Sequence, residues 1–283
     1  MSGTPPLPLS VLVTTRDEEE TIGACLRSVA GLAEELVVVD SGSTDRTLAL
    51  ALGHGARILE HPYESPARQK NWAIPQCRHP WVLILDADEQ VSPALAAELR
   101  ALFAAGGPAA PGSWIPRENR FLGRVMKHGG WGTDRVIRLI ARDTARYDDR
   151  LVHEEIDLPG PLPALSAPLL HDTFRSFPQY VPKAWRWAEA GAREAYRRGR
   201  RASAFTVFSR PIARFVRAYL LKRGFLDGGP GLVLACFTAM TVYMKYARLW
   251  ELSRGGEAVH GSRGGGDADA ARGAPGRSAG PGA

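Results

Sequence analysis

Residues 81–89 constrain the fold more than any other stretch, because five apolar residues run directly into Asp86-Ala87-Asp88-Glu89. A short apolar run rich in strand-forming residues predicts a strand buried on both faces, as in a parallel sheet. Unpaired carboxylates are too costly to bury in such a layer, so we expect all three acids to emerge at the carboxyl end of the strand. Because side chains alternate along an extended chain, Asp86 and Asp88 would point the same way.

A shared divalent cation would relieve the repulsion between these two neighbouring carboxylates. Hard oxygen ligands suit Mg²⁺ or Mn²⁺, which keep coordination positions open for substrate phosphates. The alternative is a structural role at a helix N-cap, because Ser92-Pro93 and the residues after it open a helix just beyond the acids. An Asp-x-Asp pair alone is a weak motif.

The composition is that of a globular protein with a substantial core. The chain has 283 residues, of which 45% are hydrophobic and 23% charged, enough for one large domain or a domain with an appendage. Its three widely spaced cysteines form no disulfide framework and fit a reducing compartment such as the cytoplasm. Residues 1–9 lack the basic start and the apolar core of a signal peptide.

Positive charge is concentrated in one segment of the chain. The net charge is +6, but residues 183–223 contain twelve basic and two acidic residues, so the rest is slightly acidic. This asymmetry favours an anionic partner, which could be a membrane, a nucleic acid or a phosphorylated substrate.

Strand and helix patterns alternate through the first 110 residues. Apolar strands are predicted at 10–13, 36–39, 56–59 and 81–85, with helical periodicity between them. This alternation predicts an α/β fold with a parallel, doubly wound sheet and right-handed crossovers.

Polar clusters follow three of these strands, at residues 14–20, 40–45 and 86–89. In such sheets ligands bind outside the carboxyl ends of the strands. Helix capping could explain each cluster separately, since Ser43 or Asp45 is a plausible N-cap. An acid at the end of a buried strand can also bind a ribose hydroxyl or a base N–H, which favours a nucleotide pocket with a metal beside it.

The phosphate-binding loops of other nucleotide-binding proteins are missing from the sequence. Neither Gly-x-Gly-x-x-Gly after the first strand nor Gly-x-x-x-x-Gly-Lys-Ser/Thr occurs, so dehydrogenase and P-loop interpretations lose their main support. A diphosphate would instead be held by the metal and by basic side chains, for which Arg68, Lys70 and Arg16 are the candidates.

Four motifs together resemble family 2 glycosyltransferases of the GT-A fold. They are Val-Thr-Thr-Arg-Asp-Glu-Glu (13–19), Val-Val-Asp-Ser-Gly-Ser-Thr-Asp (38–45), Arg-Gln-Lys-Asn-Trp-Ala (68–73) and Leu-Asp-Ala-Asp-Glu (85–89). Their order and spacing are far more specific than the acid pair, and the likeness is to the bacterial branch with lipopolysaccharide-core β-glucosyltransferases, over roughly residues 8–252.

The resemblance implies a mixed GT-A sheet, Rossmann-like, with a C-terminal helical extension. We expect these parts: a flexible N-terminus 1–7, a catalytic domain 8–172 (nucleotide-sugar half 8–110, acceptor half 111–172), a basic amphipathic helical region 173–253 and a disordered tail 254–283.

The resemblance also implies roles for the donor-site residues. Thr14, Arg16 and Asp40 would contact the nucleoside, with Glu18 in the same donor-binding group, although many relatives carry Lys-Asn or Tyr-Asn where this chain has Arg16-Asp17. Asp86 would lie on the ribose or uracil side and close to the metal, and Asp88 would bind the metal on the diphosphate. Arg68 and Lys70 would lie near the sugar or the phosphates.

In the acceptor half, inverting transfer needs a carboxylate that takes the proton of the attacking hydroxyl. By the resemblance, Val-His-Glu-Glu (152–155) stands in the place of the family's base. We therefore expect Glu154 as the base and His153 as a metal or phosphate neighbour, with Asp134 as second choice. The loop 128–131, His-Gly-Gly-Trp, suits the approach of a sugar ring or, equally, a tight turn over a buried Trp. His128 and His171 could also bind metal, but their spacing indicates no specific site.

Residues 173–252 are helical in pattern, with aromatic residues among the arginines. This suits a surface that lies against anionic lipid headgroups, or an amphipathic unit packed on the catalytic domain. We expect no membrane span, because Lys245 and Arg248 interrupt the apolar run before roughly 18 residues.

We expect an enzyme that moves a hexose from a nucleotide sugar, such as UDP-glucose, to a lipid-linked or cell-envelope saccharide such as lipopolysaccharide core. It would use Mg²⁺ or Mn²⁺ and lie in the cytoplasm, peripherally on the inner face of the plasma membrane. A polyprenyl-phosphate or other envelope glycan glycosyltransferase is an alternative. A basic nucleic-acid-binding protein would bind any duplex in a salt-dependent way, and we expect no nucleic acid. A nucleotidyltransferase usually has a glycine-rich basic loop where this chain has Asp-Glu-Glu-Glu (17–20).

Overall fold

A computed structural model describes residues 4–148, 156–174 and 177–255 of the chain. Within these residues the strands are β1 (Leu7–Thr15), β2 (Ala33–Asp40), β3 (Arg57–Glu60), β4 (Trp81–Asp86), β5 (Glu89–Val91), β6 (Gly112–Phe121), β7 (Arg124–Val125), β8 (Arg135–Ala141), β9 (Arg146–Tyr147), β10 (Ile156–Asp157) and β11 (Leu169–Phe174). The α-helices are α1 (Ile22–Ser28), α2 (Thr47–Gly53), α3 (Pro66–Ala73), α4 (Pro93–Ala104), α5 (Phe177–Arg197), α6 (Ala204–Val216) and α7 (Gly228–Ser253).

The main sheet has a parallel half and a mixed half, in the order β3-β2-β1-β4-β8-β6-β11-β5. The first four strands are parallel, and β1 lies between β2 and β4. Beyond β4 the direction changes, because β8 is antiparallel to both β4 and β6, while β11 is parallel to β6 and antiparallel to β5. The predicted parallel sheet that continues into a mixed half is therefore confirmed.

Both faces of the parallel half are covered, as the continuous apolar runs predicted. Since successive side chains point to opposite faces, each strand contributes to two cores. One core packs the sheet against α1, α2 and α4, and its fully buried members include Leu9, Val13, Leu83, Leu85, Leu95 and Leu99. The other packs the sheet against α3, and its members include Leu12, Val37, Val39, Ile84, Ala73 and Ile74.

The helical region is fastened to the sheet by Tyr180 of α5. This side chain is only 3% exposed, and its hydroxyl donates to the Phe237 carbonyl at 2.7 Å while its ring stacks on that of Phe237. Further along, Glu189 of α5 accepts a hydrogen bond from Arg248 of α7 at 2.8 Å. The two helices thus form one packed unit that follows directly from β11.

The C-terminal helix α7 contains a long apolar segment. Among the described residues one helical segment, Gly224–Ser253, is long and apolar enough to cross a membrane by length and composition, and most of it is not buried. Lys245 ends the uncharged run of residues 228–244, so the segment reaches this length only with charged residues included, and the expected absence of a membrane span stays a prediction.

Candidate active site

The site lies where β1, β2 and β4 end at one edge of the sheet. The register aligns Thr14 with Asp86 and Thr15 with Asp40, so the polar clusters that follow these strands meet there. Sequence reasoning predicted this meeting, because carboxyl ends of parallel strands share one edge of a sheet.

Asp86, the last residue of β4, lies among cationic side chains. Arg138 Nη2 donates to Asp86 Oδ2, Lys70 Nζ lies 3.3 Å from Oδ1, and the Thr14 hydroxyl donates to Oδ1 at 3.3 Å. Burial alone would raise the pKa of Asp86, but the charges of Arg138 and Lys70 hold it well below its ordinary value. Asp86 is therefore an ionised carboxylate whose charge these two residues already compensate.

Glu89 departs from the sequence expectation, because it does not emerge from the buried layer. It opens β5, is 0% exposed, and accepts hydrogen bonds through Oε1 from Arg138 at 2.8 Å and Arg117 at 3.3 Å. Its Oε2 accepts from the backbone N–H of Asp86 at 3.0 Å. The burial is tolerated because two guanidinium groups and one N–H replace water around the carboxylate.

Asp88 lies in the turn between β4 and β5, so the strand geometry that would align it with Asp86 does not apply. Its Oδ1 is 3.7 Å from His171 Nε2, and its Oδ2 is 3.8 Å from Lys183 Nζ. Burial would raise the pKa of Asp88, yet His171 and Lys183 lower it. Burial would lower the pKa of His171, but Asp88 raises it above its ordinary value.

The same pair of side chains fits a divalent cation. A carboxylate oxygen and an imidazole nitrogen 3.7 Å apart can both contact one ion at about 2.1 Å. His171 is also oriented as a ligand, because its Nδ1 lies 2.6 Å from Asn119 Oδ1 and leaves Nε2 facing the acid. In the described part of the chain no group of three or more His, Cys, Asp or Glu residues could hold a metal, so substrate phosphates and water would complete the coordination.

Asp134, the second candidate for the base, belongs to this network too. Its Oδ2 accepts from Arg117 Nε at 2.9 Å and from Asn119 Nδ2 at 3.0 Å, and Arg117 Nη2 is 2.6 Å away. Since Asn119 also contacts His171, Asp134 is linked to the Asp88 pair through a single amide. One oxygen of Asp134 is thereby used to hold neighbouring side chains.

Glu18 and Lys183 connect the first strand end to the helical region. Lys183 Nζ donates to Glu18 Oε1 at 3.1 Å, while Glu18 Oε2 accepts from the Thr21 hydroxyl at 2.9 Å. Lys183 also faces Asp88, so one ammonium group stands between two carboxylates from different loops. From sequence, Lys183 was one member of a basic segment, and its place in the site is a finding of the structure.

Asp40 is 1% exposed, and its oxygens accept hydrogen bonds from its own loop. The N–H groups of Gly42 and Ser43 donate to Oδ2 at 2.9 and 2.8 Å, and the Ser43 hydroxyl donates to Oδ1 at 2.5 Å. Gly42 has φ +85°, a conformation that glycine adopts readily, so Asp40 and Gly42 together fix the turn after β2.

Arg16 and Arg68 occupy exposed positions of the expected donor site. The side chain of Arg16 is 54% exposed and lies 3.9 Å from Asp17, whereas Arg68 is 56% exposed and pairs with Glu64 at 2.6 Å. Lys70, on the same helix as Arg68, is 3% exposed and faces Asp86. The structure thus brings Lys70 to the acids and leaves the two arginines at the surface.

The loop 128–131 is fastened to the helical region by Asp227. The backbone N–H of His128 donates to Asp227 Oδ2 at 2.8 Å, and His128 Nδ1 lies 2.8 Å from Oδ1. Gly129 donates to the Lys222 carbonyl at 2.9 Å. His128 is therefore a partner of Asp227 here, and His171 is the histidine that faces the acid pair.

Glu154 and His153, expected as base and metal neighbour, lie outside the described residues. Of the residues that the sequence analysis missed, Arg138 had a detectable signal. It interrupts the apolar strand β8, and a charge in such a strand has to be paired. Glu89, Arg117 and Lys183 gave no such signal, because their roles depend on partners far away in the sequence.

The sequence profile described as Glycosyl transferase family 2 matches residues 10–157, more than half of the chain. The chain belongs to glycosyltransferase family 2. Its mixed sheet with C-terminal helices is the GT-A fold, as the four motifs predicted, and the protein is a glycosyltransferase.

Two curated relatives match over most of their length. The lipopolysaccharide core biosynthesis glycosyltransferase LpsC of Rhizobium meliloti is 32% identical, over 86% of this chain and 94% of that protein. An uncharacterized glycosyltransferase of Rickettsia typhi is 27% identical, over 87% of each chain.

Solved structures show partial similarity. Glucosyl-3-phosphoglycerate synthase of Mycobacterium tuberculosis, in complex with Mn²⁺, UDP and glucosyl-3-phosphoglycerate, is 25% identical, over 40% of this chain and 44% of that one, with a TM-score of 0.33. This chain therefore spans less than half of the synthase. TarS of S. aureus is 15% identical over 88% of this chain and 91% of that one, with a TM-score of 0.42.

Proposed function

We propose that this glycosyltransferase moves a hexose, with UDP-glucose as the favoured donor, to a lipid-linked saccharide of the cell envelope such as the lipopolysaccharide core. The observation that carries the proposal is the Asp88–His171 pair, with Lys183 facing Asp88 and Lys70 facing the neighbouring Asp86, which suits a cation bound to a diphosphate. The 32% identity to a lipopolysaccharide core glycosyltransferase supports the acceptor. Another envelope glycan, or a polyprenyl phosphate, is the alternative acceptor.

The donor would lie along the edge formed by β1, β2 and β4. Thr14 and Asp86 would face the nucleoside, with Asp40 holding the loop that borders it and Arg16 at the outer rim. Lys70 and Arg68 on α3 would approach the phosphates from one side, and Glu18 would position Lys183 on the other. Together these cations would match the charge of a diphosphate.

Asp88 and His171 would hold Mg²⁺ or Mn²⁺, with Asp86 nearby and with His153 as a further candidate ligand. When bound, the cation supplies electrostatic stabilisation of the charge that develops on the leaving nucleoside diphosphate. Lys183 adds an ammonium donor beside the same group, and its position is set by Tyr180 and Ala184, both of which are buried in the helical packing.

For the base we propose Glu154, with Asp134 as second choice. The base has to accept the proton of the acceptor hydroxyl as that oxygen attacks the anomeric carbon opposite the diphosphate. Asp134 Oδ2 is already bonded to Arg117 and Asn119, which leaves one oxygen for this task and favours Glu154.

We further propose that residues 8–172 form the catalytic domain and that the helical region 173–253 meets the membrane that carries the acceptor. The enzyme would then work at the inner face of the plasma membrane, as a peripheral protein. The charge of +10 in residues 183–223 supports contact with anionic lipid headgroups.

Release of UDP from UDP-glucose, with Mn²⁺ and a truncated lipopolysaccharide core as acceptor, tests the function. We expect acceptor-dependent release by the native protein and its loss in Asp88→Asn, while the control variant Glu118→Gln, whose half-buried carboxylate pairs with Arg120, keeps full activity. Normal metal-dependent activity of Asp88→Asn would contradict the site. Donor binding without transfer to any core saccharide would contradict the acceptor.

A further inference from the structure

The helix α6 is packed with its apolar side outward. Its buried residues are Val207 (6% exposed) and, in the turn that follows, Ala218 (3%). Most of its large apolar residues, and one in the turn that follows, face solvent: they are Phe205 (78%), Phe208 (64%), Ile212 (64%), Val216 (37%) and Leu220 (52%). We call these five residues the outer stripe.

The outer stripe is one continuous surface. Four members lie in α6 and are spaced by three or four residues, so at 3.6 residues per turn they fall on one face of the helix, opposite Val207. Leu220 continues the stripe in the π-helical turn that follows α6. An ordinary surface helix of a globular protein turns such a face inward. A contiguous apolar face of this kind on the outside indicates a binding surface.

The positive charge around the outer stripe indicates which kind of partner binds it. Between Glu194 and Asp227 the sequence contains nine basic residues and no acid. Arg217, Lys222 and Arg223 are exposed beside the stripe. A second copy of the chain would bring the same positive charge against it, which is unfavourable, whereas an anionic bilayer offers an apolar interior below negative headgroups.

We propose that the outer stripe inserts into the interfacial layer of an anionic membrane, with α6 lying parallel to the surface. The biological purpose of this contact rests on the proposed envelope acceptor. The contact itself does not, because it concerns lipid binding rather than sugar transfer. The placement also suits that acceptor, since the carbonyl of Lys222, which follows the π-helical turn after α6, accepts the N–H of Gly129 in the loop 128–131. A lipid-anchored saccharide would thus reach the enzyme beside that loop.

Co-sedimentation of the full chain with vesicles tests the inference. Vesicles of phosphatidylglycerol and phosphatidylethanolamine should bind the native protein, and vesicles of phosphatidylcholine alone should bind it much less. The double variant Phe208→Glu, Ile212→Glu should lower the partition coefficient at least tenfold. The matched control is Leu52→Glu on α2, where an apolar side chain of equal exposure (63%) lies outside the stripe and should leave binding unchanged.

Thermal unfolding and the stabilisation given by UDP-glucose with Mn²⁺ should be the same in all variants, since the substituted residues are exposed. Leu220→Glu gives a second, independent disruption of the stripe. Unchanged vesicle binding of the stripe variants, equal loss in Leu52→Glu, or a native dimer that the stripe variants dissociate would each overturn the inference. If the stripe variants lose vesicle binding while no nucleotide sugar stabilises the native protein, the membrane surface stands and the proposed function fails.

Discussion

Replacing Glu89 by Gln should destabilise the whole site, because this buried carboxylate holds both arginines of the network. Gln has nearly the same shape, but its single oxygen cannot serve both the arginines and the N–H of Asp86. Breaking a buried charge pair costs about 3–5 kcal/mol. For a domain of this size each kcal/mol lowers Tm by about 2–4 °C, so we expect a fall of roughly 6–20 °C.

Thermal unfolding followed by circular dichroism measures this effect. Glu118→Gln is the control, because the pair of Glu118 with Arg120 is 31% and 39% exposed and should contribute no more than about 1 kcal/mol. A Glu89→Gln protein that unfolds within about 2 °C of this control would refute the role of Glu89 in holding the network.

Four further substitutions test separate parts of the account. Glu154→Gln should lower turnover while UDP-glucose binding, measured by calorimetry, stays unchanged; full activity would move the base to Asp134. Lys183→Met should weaken UDP binding about tenfold to hundredfold, as expected for the loss of one hydrogen bond to a charged group. Uridine binding should be unchanged, and Lys183→Arg should restore part of the lost UDP affinity. Equal binding of UDP by Lys183→Met and the native protein would remove Lys183 from the diphosphate site. Burial would raise the pKa of Glu35, but the Arg78 N–H, the Ser10 hydroxyl and Arg57 lower it. The ionised carboxylate of Glu35 therefore stabilises the fold above the unfolded pKa of about 4.3, and this contribution is lost as pH falls through the folded pKa. The difference in unfolding free energy between native protein and Glu35→Gln should therefore shrink below about pH 4, and a difference independent of pH would contradict this assignment. Asp227→Asn should raise KM for the acceptor but not for UDP-glucose, because it loosens the loop 128–131; an unchanged acceptor KM would show that the loop does not need this contact.

Much of the fold could be predicted from local patterns. The apolar run 81–85 predicted β4, and the alternation of strand and helix predicted that β1, β2 and β4 are parallel. These predictions succeeded because a strand buried on both faces has to be apolar throughout, and this leaves a clear pattern in the sequence.

The neighbours of the acids could not be predicted in the same way. The sequence analysis paired Asp86 with Asp88 through a cation, whereas the structure surrounds Asp86 with Arg138 and Lys70 and places Asp88 against His171. Such contacts depend on the register of β8 and β11, which are separated from β4 by long stretches of chain. The spacing of apolar residues describes one helix or strand at a time and does not show which residues of distant strands come into contact.

The orientation of α6 could not be predicted from the sequence pattern either. Spacing of apolar residues predicts an amphipathic helix, but it does not tell whether the apolar face is turned to the protein or to its surroundings. Only the burial of Val207 and the exposure of Phe208 and Ile212 decide this. The basic residues of the region can be counted from sequence. Only the structure shows that they lie beside an outward apolar face, and this combination favours an anionic membrane as the partner.

Mn²⁺ binding in the presence of UDP shows whether Asp88 and His171 hold the cation. Free Mn²⁺, measured by electron paramagnetic resonance, should fall as the native protein is added with UDP, and Asp88→Asn and His171→Ala should each weaken this binding at least tenfold. Native-like Mn²⁺ binding by both variants would contradict the claim that these two side chains hold the cation of the leaving diphosphate.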